Sequence, residues 1–278
     1  MIKSALAGLL WLVCIGSALA EKTTPDVPAP KALSYKILEQ AKHNPNSFTQ
    51  GWELVDGIFY ESSGLTGISY ITSYKPDNTP LQKLSLNKAW FAEGLTLLDN
   101  SLFVLTWQHG IALKIDRHNW QQQTQFTYQG EGWGLTHNNQ QLIMSNGSDT
   151  LSFIDPDTFK TTRQITVRGG ATQWANINEL EYARGLIWAN LWQTPYIIAI
   201  APGSGQVVGL LDLSLLVRAN TFRPLHESLN GIAYDKNRDA FWVTGKLWQN
   251  RYLLDIEPIA KPTKQPHDIS KPPLSALK

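Results

Sequence analysis

"AEGLTLLDNSLFVLTWQHGIALKIDRHNWQQQTQFTYQG" spans residues 92–130. It divides into four short runs, "AEGLTLL", "SLFVLTW", "IALKID" and "TQFTY", each rich in aromatic or aliphatic residues or alternating with polar ones. Turn formers separate them: Asp99-Asn100, His109-Gly110 and His118-Asn119. Four strands in a stretch this short describe one small antiparallel meander, with no space for a helix between them.

The same pattern recurs along the chain. "TQGWELVDG" (49–57), "GWGLTHNNQ" (132–140), "INELEYARG" (177–185) and "LNGIAYDKN" (229–237) stand where "AEGLTLLDN" stands in the quoted stretch. A second strand follows each one, for example "IFYESSG", "LIWANLWQ" and "AFWVTGKLW", and then a third. The period drifts between roughly 40 and 50 residues, the size of a four-stranded β-propeller blade. Repeats one to four offer a fourth strand in "LQKLSL", "TQFTY", "RQITV" and "QVVGLLDL". The fifth offers none, but the unassigned run "LSYKILEQ" (33–40) precedes the first repeat. Pairing it onto the last blade would close the ring and remove the exposed sheet edges. The fold expected is therefore all-β, a five-bladed β-propeller over residues 33–259, closed by its N-terminal strand. An irregular β-sandwich or barrel is the alternative. "DLSLLVRAN" (212–220) is the best candidate for a helical turn.

The ends read differently. Lys3, the apolar run "ALAGLLWLVCIGSALA" and the small residues of Ala18-Leu19-Ala20 fit a secretory signal over 1–20, cleaved after Ala20. The apolar run is short for a membrane span. Residues 21–32 are expected as a Pro-rich linker and 260–278 as a disordered Lys/Pro tail. The single cysteine, Cys14, falls in the signal, so the mature chain would carry no disulfide and no thiolate chemistry. Export without disulfides suits the periplasm or secretion. With 278 residues, 42% of them hydrophobic, the chain can build a sizeable core. Its net charge of +1 gives no basic footprint for nucleic acid. After signal cleavage no membrane partner is expected, and the protein is expected to be a monomer.

In a propeller the first strand of each repeat lines the axis. Aligning the repeats on their glycines brings Gln50, Glu93, Trp133, Glu179 and Asn230 to one level. The second strands end in Trp107, Trp192 and Lys246 at matching places. Aromatic walls with a few polar groups are the usual anatomy of a small-ligand pocket. Tryptophan is also common in propeller cores, and Lys246 alone could be a solvated surface lysine. Glu93 is harder to read as scaffold. A carboxylate among rings is poorly solvated, its pKa should rise, and a raised carboxyl pKa suits acid-base work near neutrality.

Eight stretches in order, "FTQG" (48–51), "YESSGLTGIS" (60–69), "FAEGLT" (91–96), "LTW" (105–107), "GEGWGLT" (130–136), "NELEY" (178–182), "ANLWQT" (189–194) and "LNGIAYD…VTGKLW" (229–248), resemble the glutaminyl cyclase family of plants and bacteria, also called glutamine cyclotransferases. The resemblance covers about residues 33–257. It implies a five-bladed propeller that converts N-terminal glutamine to pyroglutamate and releases ammonia. It implies no cofactor and no metal, and substrates that are peptides or proteins beginning with glutamine, or free glutamine. It also places Glu93 as the catalytic acid-base group, with Lys246, Gln50 or Asn178 as the catalytic donor that would stabilise the developing oxyanion. Phe48, Phe91, Trp107, Trp133 and Trp192 become the substrate-binding rings. This chain departs from the family pattern at Trp52, usually leucine, at Ala92, commonly glycine, and after Lys246, where "LWQN" replaces a frequent "WP". The six histidines show no metal-ligand spacing.

Two other readings use the same residues. A non-catalytic periplasmic propeller could grip peptide N-termini in the aromatic cage, with Glu93 paired to the ammonium. A lactonase-type hydrolase would need calcium on the axis, for which Gln50, Glu93, Glu179 and Asn230 could imitate a ring. The local motifs favour the cyclase.

Overall fold

The computed structural model describes residues 27–170, 172–221 and 226–259. The expected signal (1–20), the start of the expected linker and the tail 260–278 lie outside the described residues.

Each repeat folds as a four-stranded antiparallel sheet, and five such sheets surround one axis. In the second blade the strands Ala92–Leu98, Ser101–Thr106, Ile111–Asp116 and Gln122–Thr127 run from axis to rim. The first is buried along its whole length and the last is exposed along most of its own. The sequence follows this gradient. "AEGLTLL" packs on both faces, whereas "QQTQFT" presents a polar edge that resists pairing with another chain. The hairpin between the first two strands needs left-handed backbone, which Asp99 supplies at φ 55° and, in the first blade, Asp56-Gly57 supply at 52° and 73°.

The innermost strands Thr49–Val55, Ala92–Leu98, Leu135–His137, Ile177–Ala183 and Leu229–Asp235 pack in sequence order around the axis, and the last packs back on the first. Glycine permits this approach. A Cβ at Gly94 would lie 2.4 Å from Leu135 N, and one at Gly134 would lie 2.0 Å from Asn178 O.

Five hydrophobic clusters fill the five seams between neighbouring blades. Leu95, Val104 and Ile71 meet in the first seam, and Phe103, Leu135 and Phe159 in the second. Ile143, Leu180 and Ile198 fill the third, and Trp188, Phe241 and Leu254 the fourth. The closing seam joins the fifth blade to the first through Trp52, Phe59, Tyr74 and Trp242. Trp52, the departure from the usual leucine, stacks on Phe59 at 4.9 Å and donates its indole N–H to Tyr74 Oη at 2.8 Å. It thus belongs to ring closure and not to the mouth.

The expected closing strand is present: Tyr35–Lys42 pairs antiparallel with Asn250–Ile256 and completes the fifth blade. The helical turn is Ser214–Asn220, the one helix among the described residues. The short pair Arg168–Gly169 and Thr172–Gln173 was not expected, and neither was a strand beside the fourth blade. Lys31–Leu33, at the end of the region read as linker, pairs parallel with Val207–Asp212 and adds a fifth strand to the fourth blade. Three residues next to Pro30 carry no alternation to read, but Leu33 is buried in the fourth seam.

Inner strands pair on one edge only, so amide groups on the axial edge need acceptors from elsewhere. Carboxylates of other blades provide them. Glu53 accepts from Leu97 N at 2.6 Å and from Thr96 Oγ1 at 3.1 Å. Glu181 accepts from Tyr234 N at 3.1 Å. Glu179 accepts from Trp52 N at 3.3 Å and from Ile232 N at 2.9 Å.

Candidate active site

Side chains near the start of an inner strand and at the end of a second strand reach the same mouth of the propeller. There they enclose a cavity of about 200 Å³. Phe48, Gln50, Phe91, Glu93, Trp133 and Asn178 arrive from inner strands and the segments leading into them. Trp107, Trp192 and Lys246 arrive from the ends of second strands. The structure thus gathers all nine candidates into one cavity. Ser228 lines it too and was not expected.

The alignment on glycines needs two corrections. Glu179 does not line the cavity; Asn178 does. The fourth blade has Glu179 where the other blades have glycine, so matching it to the preceding residue slipped the register by one. A one-residue slip turns a strand side chain to the opposite face. Asn230 sits one layer deeper, where its Nδ2 donates to Thr49 O at 2.9 Å and to Gln50 Oε1 at 3.4 Å.

The rings form two groups, Phe48-Phe91-Trp107 and Trp133-Trp192. Phe48 meets Phe91 edge to face at 6.2 Å, Phe91 meets Trp107 at 5.6 Å, and Trp133 meets Trp192 at 5.5 Å. Lys246 Nζ lies 4.9 Å over the Phe48 ring. Backbone turns aim these groups. Gln193 and Leu247, each just after a cavity residue, take left-handed φ of 60° and 61°. Gly64 is wedged so closely against Phe91 that an added Cβ would meet the ring at 2.3 Å.

Glu93 is 5% exposed. Burial pushes its carboxyl well above the usual range, the Lys246 ammonium pulls it back, and Glu131 pushes it further up. Gln50 Nε2 donates to Glu93 Oε1 at 3.2 Å, and Ser62 Oγ donates to the Glu93 carbonyl at 2.5 Å. Gln50 is itself oriented by Asn230, so its amide N–H points at the carboxyl. Burial lowers Lys246 to about 8, with Glu93 opposing the fall. Asn178 Oδ1 is buried without a hydrogen-bond partner, which for a carbonyl beside a cavity marks a place for an incoming N–H.

Three comparisons bear on this geometry. Residues 9–256 match the family model described as glutamine cyclotransferase. An Arabidopsis thaliana protein named glutaminyl-peptide cyclotransferase is 33% identical over 228 residues, covering 80% of this chain and 71% of that protein. The chain belongs to the glutamine cyclotransferase family. The solved structure of Myxococcus xanthus glutaminyl cyclase superposes with a TM-score of 0.76 at 32% identity, covering 84% of this chain and all of that one.

This cyclotransferase has a second, larger cavity of about 690 Å³ at the opposite end of the axis, lined by Glu53, Glu181 and His137 among others. It has more volume, but its buried acids already serve backbone amides. The smaller cavity is the better candidate for chemistry. Among the described residues no group of three His, Cys, Asp or Glu is disposed to hold a metal ion.

Ser228 and Glu131 escaped the sequence reading, yet both carry a signal. Strand period two places Phe48, Phe91, Glu131 and Ser228 each two residues before Gln50, Glu93, Trp133 and Asn230. They form a second row above the first.

Proposed function

We propose that this cyclotransferase cyclises N-terminal glutamine in the aromatic cavity, with Glu93 as the proton carrier. The observation that carries the reading is a buried Glu93 carboxyl, raised by its surroundings, facing a ring-walled cavity beside a lysine held near 8.

The substrate's α-nitrogen attacks its own side-chain carboxamide carbon. One C–N bond forms and closes a five-membered lactam; the bond to the terminal nitrogen breaks and ammonia leaves. Glu93 takes the proton released by the attacking amine and gives it to the departing nitrogen, so a single carboxyl serves both steps. Lys246 stabilises the charge that develops on the former carbonyl oxygen. Gln50 orients Glu93. Asn178 Oδ1 accepts an N–H of the substrate. The rings hold the short chain bent for attack, and such orientation is worth on the order of 7 kcal/mol or more in favourable cases. A site closed to water also disfavours hydrolysis to glutamate.

Mass spectrometry of a Gln-initiated peptide incubated with the purified protein and EDTA tests this reading. Loss of one ammonia per peptide is expected. Binding without conversion would instead favour a peptide-gripping propeller. Export to the periplasm or medium is part of the proposal and rests on residues 1–20. N-terminal sequencing of the mature protein should begin at Glu21.

A further inference from the structure

We propose that Glu131 is a positioning residue of this site: its carboxylate ties the indoles of Trp107 and Trp133 together and so fixes the width of the cavity. The inference rests on the reading of that cavity as the substrate pocket.

Glu131 lies on the connection entering the third blade, beside the cavity and not in its lining. One oxygen, Oε2, accepts both indole N–H groups, from Trp107 at 2.8 Å and from Trp133 at 2.9 Å. The other, Oε1, accepts from Gln108 Nε2 at 3.1 Å. An indole has a single polar atom, so these bonds fix the rotation of each ring about its attachment. Charge-assisted bonds of this kind are the stronger class. Both rings are held from behind as well. Trp107 packs on Phe91, while Trp133 packs on Trp192 and lies so close to Gly147 that a Cβ there would meet the ring at 2.7 Å. The clamp therefore joins the second blade's wall to the third blade's wall across the mouth.

The same carboxylate has an electrostatic effect. The bonds from Trp133, Gln108 and Trp107 hold Glu131 ionised, below its ordinary range. Its charge raises the Glu93 carboxyl. The other groups facing Glu93 are Lys246, which lowers it, the Gln50 amide, and the Tyr128 hydroxyl, which Glu93 raises in turn. Clamp and charge can be separated by substitution. E131Q keeps one carbonyl oxygen for the two indoles and removes the charge; E131A removes both.

Steady-state kinetics on a Gln-initiated peptide, as a function of pH, reads the two effects together with tryptophan emission. E131A should raise KM roughly tenfold, the loss of one to two kcal/mol that freed hydrogen bonds to a charged group imply, and shift tryptophan emission to the red as the indoles loosen. E131Q should keep KM within about twofold of wild type while the acidic limb of kcat/KM moves to lower pH. An E131A variant with wild-type KM and emission would overturn the clamp. So would E131Q behaving as E131A with an unmoved acidic limb. The emission readout needs no turnover, so it reports on the clamp even if the protein fails to cyclise glutamine.

Discussion

The two ends of the propeller axis both bury carboxyl groups, and they use them in opposite ways. Away from the ring-walled mouth, Glu53 and Glu181 accept a backbone N–H from the next blade, and Glu179 accepts from the next blade and from the first blade across the axis. Those acids complete the hydrogen bonding of inner strands that have only one sheet neighbour. At the ring-walled mouth, Glu93 has among the described residues one neutral side-chain donor, Gln50, and faces a cavity. Burial raises Glu93, Glu179 and Glu181 alike. A raised carboxyl is therefore no mark of chemistry by itself. What separates the ends is what the oxygens touch: a backbone that is always there, or a space that a substrate can enter.

Substitution at the mouth should break function and leave the fold. E93Q is expected to lower turnover by about 10²–10⁴-fold, with a thermal midpoint equal to or above wild type, measured by ammonia release and calorimetry. Among the amide-binding acids the pattern should invert. E179A strands the amides of Trp52 and Ile232 and should cost roughly 2–4 kcal/mol of stability, read by denaturant unfolding, while the folded fraction keeps near-normal kcat and KM.

Smaller effects sharpen the contrast. If the Lys246 charge stabilises the reacting oxygen, kcat should decline as pH passes about 8, where that lysine loses its proton. K246R carries a charge that persists to much higher pH, so its residual kcat should hold on the alkaline side. The smallest change belongs to Glu181. Its carboxyl is raised by burial and by nearby Glu53, so its contribution to stability is full below its ordinary value of 4.5 and is lost as pH climbs through the raised folded value. E181Q keeps an oxygen for Tyr234 N and removes the repulsion. The thermal midpoint of E181Q should fall less with rising pH than that of wild type, read by calorimetry at a series of pH values above 4.5.

The strands were legible because an inner strand needs apolar or small residues and an outer strand needs polar ones, as "AEGLTLL" and "QQTQFT" show. Turn chemistry at Asp56-Gly57 and Asp99 marked the hairpins. The closing strand followed from counting, since a fifth blade with three strands needs a fourth. Lys31–Leu33 was hidden because three residues cannot display a period. The cavity residues were legible through the family motifs, while the glycine alignment brought to the mouth two residues, Glu179 and Asn230, that do not line the cavity. Glu179 stands where the other repeats have glycine, and nothing in a linear reading says that its carboxylate bridges the axis. Glu131 was hidden for another reason: it acts on two rings and not on the cavity, and one of them, Trp107, comes within reach only when the second and third blades meet.

The most direct test is the titration of Glu93 itself. Carbon-13 labelling of glutamate carboxyls, with the resonance assigned by difference against E93Q, reports its protonation state across pH. The account predicts a carboxyl that stays protonated well above 4.5 and that titrates lower when Glu131 is changed to glutamine. A Glu93 resonance already ionised at pH 5 would contradict it, and the proton carrier would have to be sought elsewhere in the cavity.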